Sequence, residues 1–120
     1  MTCEDIYNII KDNTGIDIKT KDRKRETSYL KKSFYALCFM YTDEYITNEN
    51  LIKFTNCKSH SSVSLAIMEI DDLIKFDAEF SKNFEYLDKL ISSKTKKRER
   101  YKGEVTGDYL KLVNNLKKLQ

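Results

Sequence analysis

Cys57 and His60 are the residues best equipped for covalent or metal chemistry, and they stand together in Cys57-Lys58-Ser59-His60. A thiol and an imidazole at that spacing make half of a zinc site, or a nucleophile beside a base. The chain completes neither. His60 is its single histidine, and the remaining cysteines, Cys3 and Cys38, lie far away in sequence. Asp71 and Asp72 are neighbours on a helical stretch, so their carboxylates point in different directions and form no acid–base dyad. No enzymatic activity, metal or cofactor is expected. What remains around His60 is polar without being catalytic: Ser59, Ser61, Ser62 and Ser64 surround it with small hydrogen-bonding groups.

These groups open a helix. Ser59 suits an N-cap, because its hydroxyl can accept from the free N–H groups of the first turn. Val63, Ala66, Ile67, Ile70, Leu73 and Ile74 then follow at helical spacing and define one buried stripe. Before the cap, residues 47–55 carry Leu51, Ile52 and Phe54 and read as a shorter helix, with Asn56-Cys57-Lys58-Ser59 as the turn. A short helix, a tight turn and a longer helix with a polar tip form the pattern by which a helix-turn-helix enters a DNA groove.

The rest of the chain must position that unit. With no proline, three glycines and 40% apolar residues among 120, an all-α fold is expected, with enough apolar mass for a modest core. A first helix is expected over residues 2–13, with Ile6, Ile9 and Ile10 inward and Gly15 as its stop. Residues 16–28 read as a polar connection whose basic cluster is Lys19, Lys21, Arg23, Lys24 and Arg25. Residues 29–41 form the most apolar helix, the expected centre of the core, and Lys31 and Lys32 lie at its start. The pattern breaks at Lys75-Phe76-Asp77, and Asp77 can cap a further helix carrying Phe80, Phe84, Leu87 and Ile91. A second basic run, residues 94–102, includes Arg98 and Arg100. A last amphipathic stretch follows, with Tyr109, Leu112, Val113, Leu116 and Leu119 in phase. We expect one domain over residues 1–92 and an appendage over 93–120.

The formal charge of +3 is too small to identify a partner, so the distribution of charge carries the information. Three scattered cysteines fit a reducing compartment better than a disulfide framework. No signal peptide and no membrane-length apolar run is seen, and a cytoplasmic protein is expected.

Over about residues 3–90 the ordered series of elements resembles the C-terminal DNA-binding domain of the bacterial replication initiator DnaA, a Trp-repressor-like helix-turn-helix. Lys58-Ser59-His60-Ser61-Ser62-Val63 is similar to that family's Arg-Asp-His-Ser/Thr-Thr-Val signature at the start of the recognition helix. Gly15-Ile16-Asp17-Ile18 and the basic residues after it resemble the family's hydrophobic tether and basic loop. The chain departs from the family where Ser59 replaces the acid, where Leu65, Met68 and Glu69 stand near basic positions, and where Asn56 and Cys57 replace the turn glycines. The family's base-reading arginine falls on Ser33.

The resemblance implies double-stranded DNA as the partner. Lys19, Lys21, Arg23, Lys24, Arg25, Lys31 and Lys32 would then hold phosphates, as would Ser61, Ser62 and the free N–H groups of that helix start. Lys58, Ser61 and Ser64 would meet base edges, His60 a phosphate or a base edge, Ser59 would belong to the same DNA-binding tip, and Leu65 would favour a thymine methyl. A regulator or an accessory replication factor is expected, and the want of an ATPase domain ahead of the motif suggests a freestanding domain of a phage or mobile element. The alternative is a protein-interaction module that has lost specific DNA binding, dimeric or partnered through its C-terminal helix. RNA binding is a third, weaker reading.

Overall fold

A computed structural model describes residues 1–20, 24–42, 48–55 and 60–95, without the side chains of Asn48, His60, Ser61 and Ser62. All regular structure among the described residues is helical: α1 Cys3–Thr14, α2 Arg25–Tyr41, α3 Asn48–Thr55, α4 His60–Phe76 and α5 Ala78–Ser92.

Several described boundaries have a local chemical cause. Thr2 caps α1 in a reciprocal box: its hydroxyl accepts from the Asp5 N–H at 3.1 Å, and the Asp5 carboxylate accepts from the Thr2 N–H at 2.9 Å. Gly15 ends α1 at φ 73°, a left-handed conformation, and its N–H donates to the Lys11 carbonyl at 2.9 Å. Asp77 separates α4 from α5 and caps the latter by accepting from the Phe80 N–H at 3.1 Å.

One boundary differs from the sequence expectation. Helix α2 starts at Arg25, so residues 25–28, read above as loop, add a turn to it. The charge run hides an inward residue, Thr27, which is buried. Ser28 N–H already donates to the Lys24 carbonyl at 3.0 Å. Charged side chains flanking one buried position are compatible with helix, and Glu26 suits the positive end of its dipole.

Helix α2 is the axis of the molecule. Phe34, Ala36, Leu37, Cys38 and Phe39 are all fully buried, although five such residues cannot share one face. The helix is covered on several sides because α1, α4 and α5 all pack on it. Ile6 and Ile10 come from α1, Leu51 from α3, Val63, Ile67 and Ile70 from α4, and Phe80, Leu87 and Ile91 from α5. Ile18 pins the connection after α1 into the same core. The Tyr29 ring meets Phe80 edge-on with centroids 5.3 Å apart, and the Tyr35 hydroxyl lies 2.7 Å from Thr55 Oγ1. Cys38 is fully buried in α2 and serves as a small hydrophobe. The expected C-terminal helix lies outside the described residues, as does most of the appendage. No helix among the described residues is long and apolar enough to cross a membrane.

Candidate nucleic-acid interface

Helices α3 and α4 pack together, and α4 also packs on α2. The buried side of α4 is Val63, Ile67 and Ile70, with Ala66, Leu73 and Ile74 half-buried beside them. Its opposite side exposes Leu65, Met68, Glu69, Asp72 and Phe76, which fall within one arc of a helix with 3.6 residues per turn. His60, Ser61 and Ser62 occupy its first turn, with side chains outside the described set. Lys58, Ser59 and the rest of the turn between α3 and α4 also lie outside it. The half zinc site of Cys57 and His60 therefore has no described geometry.

Two lysines about two turns into α2, Lys31 and Lys32, connect the remaining parts. Lys31 Nζ donates to the Thr20 carbonyl at 2.9 Å, which fastens the basic connection to α2. Lys32 Nζ donates to Glu69 Oε2 at 2.8 Å, which fastens α2 to the exposed side of α4. The connection, the N-terminal half of α2 and the outer side of α4 are thus contiguous. Lys19 and Lys24 are exposed on the connection. The Asp17 carboxylate, which accepts from the Lys19 N–H at 2.9 Å, shapes the turn that carries Lys19. Lys21 and Arg23 lie outside the described residues. Ser64 is half-buried on α4.

Arg25 takes a different direction from its basic neighbours. Its guanidinium lies 3.4 Å from Asp77 and 3.6 Å from Glu79 at the start of α5, and its Nε donates to the Tyr29 hydroxyl at 3.0 Å. The Tyr29 hydroxyl in turn donates to Asp77, and that bond, with the cap N–H of Phe80, holds the Asp77 carboxyl below its usual range. Arg25 thereby joins α2 to α5 and is engaged by two carboxylates. Ser33, at the position of the family's base-reading arginine, is buried and donates to the Tyr29 carbonyl at 2.9 Å. It presents nothing to a ligand.

Sequence reasoning missed the Lys32–Glu69 and Arg25–Asp77 pairs. Their partners are 37 and 52 residues apart, and no local periodicity links such positions. No protein-family model matches the chain, and neither a curated protein nor a solved structure matches it.

Proposed function

We propose that the protein binds double-stranded DNA through α3 and α4 acting as a helix-turn-helix of the Trp-repressor-like type. The start of α4 enters the major groove, and Lys19, Lys24, Lys31 and Lys32 meet the flanking phosphates. The carrying observation is the contiguity made by the Lys31–Thr20 and Lys32–Glu69 bonds, which gathers the basic connection beside the outer side of α4. A duplex lying along α4 would meet both at once. Phosphate contacts supply affinity and base-edge contacts supply choice of sequence; the polar tip at residues 58–62 belongs to the second kind. A regulator or an accessory replication factor is the role that fits such a small reader.

A measurement of duplex affinity against salt tests this. Affinity should fall steeply as salt rises, because neutralised phosphates release counterions. Reversing Lys24, Lys31 and Lys32 to Glu together should lower it by about 10- to 100-fold and flatten the slope. Glu69→Gln should do the reverse and raise affinity, because it removes the carboxylate that competes with phosphate for Lys32. Duplex binding that ignores salt and all of these substitutions would end the proposal.

A second reading has its own observation. Leu65, Met68 and Phe76 are 59%, 58% and 83% exposed on one side of α4, and an apolar ridge among acids suits a protein partner. On that reading the full chain has no salt-dependent affinity for duplex.

A further inference from the structure

The ridge on α4 ends in the largest apolar exposure among the described residues, Phe76. Leu65, Met68 and Phe76 alternate there with Glu69 and Asp72, so the surface is apolar along its crest and negative at its sides. Glu69 and Asp72 give the crest a negative border, which favours a cationic neighbour. The surface calls for an occupant that is both apolar and basic.

We propose that this occupant is the chain's own C-terminal stretch, residues 109–119, docked in cis along α4. Its apolar residues Tyr109, Leu112, Val113, Leu116 and Leu119 recur at helical spacing. At helical rise Tyr109 to Leu119 covers about 15 Å, and Leu65 to Phe76 covers about 16 Å, so crest and stripe match in length. Charge matches as well. Residues 96–120 hold eight Lys or Arg against three Asp or Glu, whereas residues 1–95 hold 14 against 16. Lys117 borders the stripe and would stand beside the acids of the ridge.

Reach is sufficient. The stretch between Thr95 and Tyr109 extends to about 45 Å at full length, more than the molecule's longest dimension of 34 Å. The tether also decides between this segment and a second copy. A covalent link of this length holds its end at an effective concentration of about a millimolar, which a separate molecule at micromolar concentration cannot rival.

The methionines test the proposal in the full chain. Met68 lies on the ridge and Met40 is buried in α2, an internal reference. With the methionine methyls observed by NMR and a soluble paramagnetic agent added, the Met68 methyl should relax slowly in the native chain. It should relax several-fold faster in the Leu112→Ser, Leu116→Ser double variant. An unchanged Met40 resonance shows that the core is intact. The native result should not vary with protein concentration. A Met68 methyl that is equally accessible in both chains overturns the proposal, and so does protection that is lost on dilution, which would assign the ridge to a second copy. No nucleic acid enters the measurement, so its failure is separate from failure of the DNA reading.

Discussion

Among the described residues, three tyrosine–carboxylate pairs tie separate segments together: Tyr7 donates to Asp17, Tyr29 to Asp77 and Tyr41 to Asp88. Each phenol sits on a helix face that is largely buried or half-buried, and each carboxylate lies on another segment. Burial, followed by the bond to Asp88, raises the Tyr41 hydroxyl above its ordinary range. The Tyr7–Asp17 pair titrates in an accessible window at both ends. The Tyr7 bond is the main cause, and the Lys19 N–H the next, that lowers the Asp17 carboxyl. A lowered native value means that this carboxylate stabilises the fold above the unfolded value of about 4 and loses that contribution as pH falls through the native one. Desolvation, then the bond to Asp17, raises Tyr7 to about 12. That contribution is complete below about pH 10 and is lost as pH rises toward the native value. Tyr7→Phe should therefore lower the melting temperature most near neutral pH. The gap between the variant and native chains should narrow below about pH 4 and again above about pH 10. Melting curves across pH check this, and a gap that is constant throughout would mean that the pair contributes packing alone.

At the scale of elements, signals that act over a few residues were legible, and those that act across the fold were not. Thr2, Gly15 and Asp77 mark helix ends by chemistry that operates within four residues; Gly15 and Asp77 stand where the sequence placed them, and Thr2 caps the helix it was expected to begin. The stripes Ile6–Ile10 and Phe80–Phe84–Leu87–Ile91 are simple periodicities, and they are buried as expected. The start of α2 was missed because Lys24 and Arg25 look like solvent-facing loop. What makes residues 25–28 helical is the burial of Thr27 and the grip of Asp77 and Glu79 on Arg25, and that partner site is more than fifty residues away. The same limit applies to the candidate interface: the basic cluster was legible as a cluster, but Arg25 faces α5 while Lys32 faces α4. Gly15 allows a local cause to be tested by itself. Nothing lies within 4 Å of where its Cβ would be, so a side chain there meets no clash and only the left-handed backbone opposes it. Gly15→Ala should cost about 1–2 kcal/mol, or about 5–10 °C in Tm for a domain of this size. Thermal denaturation measures it, and a neutral result would mean that the connection after α1 relaxes to another conformation.

At the scale of the whole molecule, the two proposed partners would contend for one surface. The outer side of α4 is where a duplex would lie under the proposed function, and it is also where residues 109–119 dock in the further inference. A protein whose binding-competent form is only a fraction of the whole loses affinity by that fraction. A tail docked ten times more often than free thus weakens apparent duplex binding about tenfold. Under the proposed function the tail would have a second, opposite influence, because its basic run at residues 94–102 would add phosphate contacts of its own. Removing the tail would mix the two effects, whereas neutral substitution separates them. Leu112→Ser with Leu116→Ser weakens docking and leaves every lysine and arginine in place. Duplex affinity should then rise, by up to about tenfold if docking is that favourable, with the salt slope unchanged because no phosphate contact is gained or lost. Truncation after Thr95 should instead flatten the slope, since the basic run goes with it. Fluorescence anisotropy with a labelled duplex at several salt concentrations distinguishes these cases. Equal affinities for the native and substituted chains, with Met68 protected in the first and exposed in the second, would mean that the duplex does not use the ridge of α4. The DNA-binding surface would then have to be sought along the lysines of α2 and the connection before it.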